Sequence, residues 1–312
     1  MSQRVLADTP LAPAIAKLLP AEIEIVPWES LAAEPDPSLT GIYTYGHPRV
    51  DAALLRRLPN AKVISNYGVG VDHIDLHAAQ AAGVPVGNTP GILDGATADM
   101  GFALLLAAAR RVVEGDRFAR GPNFTVYDPC CLLGREVHHS TLGIVGMGRI
   151  GEQVARRARG FDMQLLYHNR TRKAEAEARL GVQYVTLDEL LAQSDFVMLT
   201  CPLTDATRGL IGASQLARMK PTAILINIAR GAVVDMNALT AALQQRQIYS
   251  AALDVTDPEP LPRDHPLLSL DNLTIVPHLG SATEQTRQTM AELSVTNLLR
   301  GLNGEPLIHR VS

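Results

Sequence analysis

The chain has 312 residues, of which 46% are hydrophobic and 19% are charged, and this composition fits two globular domains and excludes a disordered protein. Its 28 basic and 32 acidic residues give a formal net charge of −4, whereas a nucleic-acid-binding protein usually has a basic surface. No apolar run approaches the roughly 20 residues of a transmembrane helix, and the first residues hold no signal-peptide core, so we expect a cytoplasmic protein that does not bind membranes.

Short β-branched runs alternate with Ala- and Leu-rich amphipathic stretches along the chain, a rhythm that indicates βαβ units and parallel sheets. In the first hundred residues we predict five strands, at 4–7, 23–26, 40–44, 62–66 and 84–87. Helices are predicted at 49–58 and 74–82, the second ending at Gly83. These elements predict one small α/β domain.

A second series of strands follows, at 140–145, 163–168, 195–201, 223–228, 249–255 and 273–277. Between them, Thr186 and Glu189 form a capping box that opens a helix at 187–192, and Asp235 is the predicted N-cap of a helix at 236–245. Six parallel strands with intervening helices predict a nucleotide-binding domain.

The last predicted helix begins near Ser281 or Thr283 and ends at Arg300, with Gly301 after it. Its apolar residues recur at helical spacing. Because it follows the last strand of the second series, we expect it to return to the first domain, which would then be discontinuous.

A glycine-rich turn lies at the start of the second series, where the apolar run from Thr141 leads into GMGRIG and then into a helix beginning near Arg149. Gly146 allows the tight turn, Gly148 lets the backbone approach a pyrophosphate, and Gly151 allows the helix to pack closely on the strand. The phosphates would lie at the positive end of that helix. The strand–turn–helix context predicts a dinucleotide site, the alternative being an ordinary glycine turn.

The residues after the next strand bear on the choice of dinucleotide. An NAD-binding protein usually has an acid there for the ribose 2′-hydroxyl, whereas this chain reads His168-Asn169-Arg170-Thr171-Arg172-Lys173. Three cations and no acid favour a 2′-phosphate, which arginine can bind bidentately. We therefore predict NADPH over NADH, the alternative being a solvated basic start of a helix.

Three polar residues follow three successive strands of the second series: Arg230, Glu259 and His278. Ligands of open α/β sheets bind at the carboxyl ends of the strands, although loops are polar for other reasons too. Together the three suit carbonyl reduction, in which His278 donates the proton, Glu259 orients it, and Arg230 binds the carboxylate or the carbonyl oxygen. The predicted substrate is a 2-oxo acid.

The first domain offers a second candidate site, because the strand at 62–66 runs into the turn Tyr67-Gly68-Val69-Gly70. Successive free N–H groups in such a turn can bind an anion, so Val69 and Gly70 are predicted to contact the substrate carboxylate. The alternative is a plain strand-to-helix turn. A site shared by two domains would close around its substrate.

The chain resembles the D-isomer-specific 2-hydroxyacid dehydrogenases over essentially its whole length. The matching stretches are NYGVGVDHID, NTPGILDGATAD, LGIVGMGRIG, INIARGAVVD, ALDVTDPEPLP and VPHLGSAT. Within that family, DVTDPEPLPRDHPLL and PHLGSATEQTRQTM are most similar to glyoxylate/hydroxypyruvate reductases, and VHHSTLGIVGMGRIG also resembles 2-ketogluconate reductases.

The resemblance implies a role for particular residues. The catalytic set of the family maps onto Arg230, Glu259 and His278, and its carboxylate-binding turn onto Val69 and Gly70. Its acid for the nicotinamide carboxamide maps onto Asp254, with Cys201, Pro202 and Thr207 near the adenosine and Ile228 near the nicotinamide. The full set of expected cofactor contacts is Gly146, Met147, Gly148, Arg149, Ile150, Gly151, Asn169, Arg170, Arg172, Cys201, Pro202, Thr207, Ile228, Asp254, His278 and Gly280.

The resemblance also implies an α/β fold of two doubly wound parallel-sheet domains. A Rossmann NAD(P)-binding domain, residues 100–283, is inserted in a flavodoxin-like substrate domain formed by 1–99 and 284–312. A homodimer built largely on the cofactor domains is implied, with an arm at 120–137 near its interface. Mammalian-type glyoxylate/hydroxypyruvate reductases have a tryptophan in this arm, where this chain has Cys131.

Two alternatives remain open at this point. The first is a 2-ketogluconate reductase of the same family, because the residues that would select the substrate, Tyr45, His47 and the Cys131 arm, do not rank the possible 2-oxo acids. The second is a non-catalytic NAD(P)H-sensing protein, since corepressors share this fold. The three cysteines form neither a disulfide framework nor a zinc pattern, so no metal is expected.

Overall fold

The computed structural model describes residues 3–8 and 10–311, and the chain divides into two compact units, Met1–Leu93 with Thr283–Ser312, and Asp94–Ala282. The predicted boundaries are 99/100 and 283/284. The first of these would divide a long helix that begins at Asp94 and lies wholly in the second unit. The assignment of substrate to one unit and dinucleotide to the other stays a prediction.

The first unit contains a five-stranded sheet formed by β1 (Gln3–Ala7), β2 (Ile23–Pro27), β3 (Leu39–Thr44), β4 (Ile64–Asn66) and β5 (Val86–Gly87). These strands are parallel, in the order β2-β1-β3-β4-β5. The helices of this part of the chain are α1 (Pro13–Ala16), α2 (Ala52–Arg57) and α3 (Leu76–Ala81). The five predicted strands are confirmed, and the order is that of the flavodoxin-like doubly wound fold.

Side-chain caps and a buried core explain these elements. The Asp51 carboxylate accepts hydrogen bonds from the N–H groups of Ala53 and Leu54 at the start of α2, and the Asp75 carboxylate accepts one from the N–H of Ala78 at the start of α3. Gly83, at φ +69°, terminates the α3 segment as predicted. Strands buried on both faces form near-continuous apolar runs, which is why they could be recognised in the sequence.

The second unit alternates helices and strands, which are α4 (Asp94–Ala109), α5 (Val112–Arg120), β6 (Thr141–Val145), α6 (Arg149–Ala158), β7 (Gln164–His168), α7 (Ala174–Leu180), β8 (Gln183–Tyr184), α8 (Leu187–Gln193), β9 (Phe196–Leu199), α9 (Ala213–Leu216), β10 (Ile224–Asn227), α10 (Met236–Gln244), β11 (Ser250–Leu253) and β12 (Leu273–Ile275). Short 3-10 helices lie at Trp28–Ser30, Arg159–Phe161, Gly231–Val233 and Pro266–Ser269. Within residues 3–8 and 10–311, no helix combines the length and apolarity needed to cross a bilayer.

The sheet of the second unit has seven parallel strands, in the order β12-β11-β10-β9-β6-β7-β8. The prediction of six strands is wrong by one, because β8 is two residues long and lies at the edge of the sheet, paired with β7. A pair of residues shows no recognisable alternation. The order of strands reverses between β6 and β9, which is where doubly wound sheets bind their ligands.

The last helix, α11 (Glu284–Leu302), belongs to the first unit. Thr283 caps it, and Ser294 anchors it, accepting a hydrogen bond of 2.6 Å from Ser65 Oγ and contacting the Tyr43 hydroxyl at 2.8 Å. The prediction that Gly301 follows the helix is wrong. Gly301 lies inside it, where a Cβ would come within 2.4 Å of the Val63 side chain, so this glycine allows close packing and does not stop the helix.

Candidate active site

The turn between β6 and α6 brings the carboxyl ends of three strands together. Gly146 has φ +105° and its N–H donates a hydrogen bond of 2.9 Å to the carbonyl of His168 at the end of β7. A Cβ at Gly146 would lie 2.6 Å from the backbone nitrogen of Cys201, which follows β9. Both the backbone conformation and the close approach therefore require glycine here.

The start of α6 is shaped to hold a phosphate. Gly148 is its N-cap residue, and no side chain of the described chain caps it. Apart from Gly148 itself and its two chain neighbours, no atom in residues 3–8 or 10–311 lies within 4 Å of where a Cβ on Gly148 would be. Met147 is buried, Arg149 is exposed and Ile150 is half-buried. A Cβ at Gly151 would lie 2.2 Å from the Gly146 carbonyl, so the helix packs directly on the turn. These residues fit the pyrophosphate of a dinucleotide.

The predicted 2′-phosphate residues follow β7. Asn169 donates a hydrogen bond of 2.9 Å from its side chain to the Thr171 carbonyl, and Arg170 is exposed, with no hydrogen bond or ion pair to any part of the described chain. Arg172 binds Glu177 with both ends of its guanidinium fork, Nε to Oε1 at 2.8 Å and Nη2 to Oε2 at 2.7 Å. The stretch 168–173 itself contains cations and no acid, but α7 brings the Glu177 carboxylate to Arg172.

The loop after β9 carries the other residues predicted near the adenosine. Cys201 is buried beside Gly146, and burial raises the pKa of its thiol to about 11, so the thiol stays protonated at neutral pH. Thr207 Oγ1 donates to the Pro202 carbonyl at 2.7 Å and accepts from the N–H of Thr204 at 2.8 Å. Thr207 therefore holds the loop in shape next to the glycine-rich turn.

Glu259 and His278, which follow β11 and β12, lie in direct contact. His278 Nδ1 is 2.6 Å from Glu259 Oε1, and the two side chains are 31% and 39% exposed. The other carboxylate oxygen of Glu259 accepts from the N–H of Thr256 at 3.3 Å. His278 has φ +55°, an uncommon conformation for a residue with a side chain. The contact between His278 Nδ1 and the Glu259 carboxylate therefore fixes the orientation of the imidazole ring.

Asp254 holds the turn that carries His278. It lies just after β11, is 2% exposed, and accepts hydrogen bonds from the N–H groups of Leu279 at 2.6 Å and Gly280 at 2.8 Å. Burial raises the pKa of the carboxyl group, while these two N–H groups and nearby His278 oppose that rise. Asp254 thus positions the histidine turn, in addition to its predicted contact with the nicotinamide carboxamide.

Arg230 follows β10, where Ile228 is buried, and its segment packs against the segment that carries Glu259. A Cβ on the next residue, Gly231, would lie 2.0 Å from both the carbonyl carbon and the oxygen of Thr256. Arg230 Nη1 donates to the Ala229 carbonyl at 2.9 Å, and the Arg230 carbonyl accepts from the Asn227 side chain at 2.9 Å. The three predicted catalytic residues therefore extend from neighbouring, interlocked loops at one edge of the sheet.

In the first unit, two asparagines shape the turn after β4. The Asn66 side chain donates to the carbonyls of Gly68 and Gly70, each at 3.0 Å, and Asn88 donates to the carbonyl of Val69 at 2.9 Å. In the described part of the chain, the N–H groups of Val69 and Gly70 have no acceptor. Because the asparagine side chains bind the carbonyls of the turn, the N–H groups of Val69 and Gly70 are available to bind an anion.

Comparison with known proteins decides the family. The family model for the D-isomer specific 2-hydroxyacid dehydrogenase, NAD binding domain, matches residues 102–280. The chain is similar to the glyoxylate reductase of Korarchaeum cryptofilum (strain OPF8), 50% identical over 257 residues, which are 82% of this chain and 77% of that protein. The chain belongs to the D-isomer-specific 2-hydroxyacid dehydrogenase family. It is an NAD(P)-dependent oxidoreductase, and the predicted family is confirmed.

Further relatives span nearly the whole dehydrogenase. The glyoxylate reductase of Thermococcus onnurineus (strain NA1) is 45% identical over 300 residues, 93% of this chain and 90% of that protein. The crystal structure of an NADPH-dependent glyoxylate/hydroxypyruvate reductase from Sinorhizobium meliloti, in complex with NADP and malonate, matches with a TM-score of 0.91 at 30% identity. The match covers 100% of this chain and 97% of the S. meliloti chain, which confirms the two-domain α/β fold.

Three residues of this dehydrogenase escape prediction from the sequence. Glu177 contacts Arg172, and Thr97 in the first turns of α4 lies against Gly280, 3.3 Å from where a Cβ would be. The Arg287 guanidinium lies 5.8 Å from the ring centroid of Tyr67, next to the Val69–Gly70 turn. The stretch GATAD was a family signature that could have indicated Thr97. For Arg287, separated from Tyr67 by 220 positions, no local signal exists.

Two residues that were expected to select the substrate also lie in the first unit. The Tyr45 ring is 5.1 Å from the ring of Tyr67, and His47 is exposed at φ +65°. The third expected determinant, Cys131, is exposed in the second unit. Their part in choosing the substrate stays a prediction.

Proposed function

We propose that this dehydrogenase reduces small 2-oxo acids, glyoxylate and hydroxypyruvate, to D-2-hydroxy acids with NADPH. The observation that carries the proposal is the 2.6 Å contact of His278 Nδ1 with Glu259 Oε1, on loops interlocked with that of Arg230. Relatives at 42–50% identity named glyoxylate reductase support the substrate class, and their names favour a reductase over a non-catalytic sensor. The S. meliloti neighbour, described as NADPH-dependent, supports the choice of cofactor.

His278, Glu259 and Asp254 have different roles in the transfer of the proton. A reduced nicotinamide dinucleotide, with its pyrophosphate held at the turn 146–151, would supply the hydride that the carbonyl carbon accepts. As negative charge grows on the carbonyl oxygen, His278 donates a proton to it from Nε2, and the Glu259 carboxylate at Nδ1 stabilises the imidazolium that precedes the transfer. One hydride and one proton convert the ketone or aldehyde to a hydroxyl group. Asp254 keeps the histidine turn in place throughout.

Each unit by itself contains groups that suit the carboxylate of a 2-oxo acid. Arg230 has a guanidinium fork suited to a carboxylate or to the carbonyl oxygen. The N–H groups of Val69 and Gly70, in the first unit, suit a carboxylate because they lack acceptors in the described chain. A substrate without a carboxylate next to its carbonyl would lose these contacts.

The decisive experiment follows the oxidation of NADPH with glyoxylate, hydroxypyruvate and 2-ketogluconate in turn, and repeats the series with NADH. We expect turnover of the first two and higher kcat/KM with NADPH. Turnover of 2-ketogluconate alone would move the substrate class to sugar acids. Tight NADPH binding with no turnover of any 2-oxo acid would support a nucleotide sensor instead.

The cofactor assignment predicts unequal effects of two arginines. Arg170→Ala should raise the KM for NADPH about tenfold, the loss of one charge-assisted contact with the 2′-phosphate, and leave the KM for NADH unchanged. Arg172→Ala should raise it less, because Glu177 already occupies the Arg172 fork. Steady-state kinetics with both cofactors at constant ionic strength check this. Equal changes with NADPH and NADH would contradict the assignment.

We also propose a homodimer built largely on the dinucleotide-binding domains, with the arm at 120–137 contributing to its interface. The arm exposes large apolar side chains, with Val126 74%, Tyr127 81% and Leu133 66% exposed, and an apolar patch of this kind is typical of an interface. Light scattering after size exclusion should give a dimer for the wild type and a monomer for Val126→Asp/Tyr127→Asp. Ile308→Asp, at an exposed apolar residue of the first unit, is the matched control and should stay dimeric. A monomeric wild type at micromolar concentration would refute the interface.

A further inference from the structure

The ion pair of Arg172 with Glu177 joins an exposed side chain to a largely buried one. Tyr167 is completely buried, and its hydroxyl donates to Glu177 Oε1 at 2.7 Å while accepting from the N–H of Lys173 at 2.7 Å. The side chain of Glu177 is 18% exposed, and that of Arg172 is 66% exposed. The carboxylate is therefore anchored to the core, and the guanidinium reaches to it from solvent.

Glu177 is fully ionised at neutral pH. The hydrogen bond from Arg172, reinforced by that from Tyr167, lowers the pKa of this carboxyl group to about 2. A full negative charge thus stands beside the residues that follow β7. It uses Nε and Nη2 of Arg172, which are the donors that a phosphate would bind bidentately.

This pair lies next to the glycine-rich turn. The carbonyl of His168, the last residue of β7, accepts the hydrogen bond from Gly146, and Asn169 follows at once. In doubly wound dinucleotide-binding sheets, the end of this strand faces the adenosine ribose. The inference below rests on the proposed NADPH binding at this place.

We infer that Glu177 is an internal competitor of the cofactor's 2′-phosphate, holding Arg172 in the free enzyme and releasing it when the phosphate binds. The exchange is feasible because exposed ion pairs contribute little net free energy, and a phosphate carries about −1.5 to −2 charges against one for the carboxylate. Glu177 also repels the phosphate once Arg172 has left it. It therefore reduces the affinity for NADPH and leaves NADH untouched, which makes it a specificity-determining residue.

The test compares Glu177→Gln with the wild type. Glutamine keeps the length of the side chain and an acceptor for Tyr167 but removes the charge. We expect 2′,5′-ADP and NADPH to bind about three- to tenfold more tightly, as the removal of a weak ion pair and one repulsive charge implies, with 5′-ADP and NADH unchanged. Titration calorimetry with the two adenine nucleotides measures this without any turnover.

A double-mutant cycle identifies Arg172 as the residue through which Glu177 acts. In the Arg172→Ala background, Glu177→Gln should improve the binding of 2′,5′-ADP by a smaller factor than in the wild type, because the ion pair is already gone and only the repulsive charge is removed. Asp271→Asn is the matched control, because it breaks the exposed bidentate pair with Arg246, at 2.7 and 2.9 Å, and it should change neither nucleotide.

Several results would overturn the inference. Weaker or unchanged binding of 2′,5′-ADP by Glu177→Gln would do so, as would an equal change for 5′-ADP or full improvement in the Arg172→Ala background. The proposed function fails on a different result, the absence of 2-oxo acid turnover by the wild type. An enzyme that reduces glyoxylate but shows no shift for Glu177→Gln would refute the competitor and leave the reductase standing.

Discussion

His278→Gln is expected to lose about 10²- to 10⁴-fold in kcat, the usual contribution of a general acid. Glutamine can still contact Glu259, but it cannot transfer a proton to the developing alkoxide. The binding of NADPH should change little, because the phosphate cradle at 146–151 does not depend on the imidazole. Steady-state kinetics with glyoxylate and fluorescence titration of NADPH separate the two effects.

A second histidine–glutamate pair provides the control for that variant. His138 Nε2 lies 2.6 Å from Glu136 Oε1, and its side chain is 56% exposed. His138→Gln removes the same kind of contact away from the predicted site and should keep full activity. If His278→Gln retained kcat within a few-fold of the wild type, another group would have to donate the proton.

Gly231→Ala is expected to lower kcat/KM by about 100-fold, because displacements of about 1 Å in catalytic groups have effects of that size. The added Cβ would lie 2.0 Å from the carbonyl carbon and oxygen of Thr256, and a backbone carbonyl cannot rotate away as a side chain can. The Arg230 and Glu259 segments must then separate. We expect a loss of about 1–3 kcal/mol in the free energy of unfolding, typical of overpacking.

Urea unfolding and kinetics with glyoxylate measure the two effects of Gly231→Ala. Gly160→Ala is the matched control, because no atom of the described chain beyond the local backbone and chain neighbours of Gly160 lies within 4 Å of its added Cβ. It should leave stability and kcat/KM near wild-type values. An unaltered kcat/KM in Gly231→Ala would mean that the contact between the two loops is not needed to hold Arg230 and Glu259 in position.

Local chemistry explains which features could be predicted. The capping box of Thr186 and Glu189 and the Asp235 cap are confirmed because each depends on residues within a single turn. The turn from Gly146 to Gly151 was recognisable because the tight backbone of the turn and its close contacts require glycine at these positions. The ends of parallel strands meet at one edge, so the neighbouring positions of Glu259 and His278 also follow from their order.

Contacts between distant segments could not be predicted in the same way. Gly301 looks like a helix stop locally, whereas its role is set by Val63, far away in the sequence. The three cations after β7 looked unopposed because nothing local shows that Tyr167 turns Glu177 toward Arg172. Likewise, Arg287 meets Tyr67 only through the packing of α11 in the first unit.

The position of α11 sets the order in which the chain can fold during its synthesis. Ser65 in β4 forms its hydrogen bond with Ser294, which is synthesised 229 residues later. Every residue of the second unit, Asp94–Ala282, leaves the ribosome before α11 does. Domains fold as units as they emerge. The second unit is thus complete while the first sheet still lacks its last helix, and the earliest strands to be made are the last to be covered.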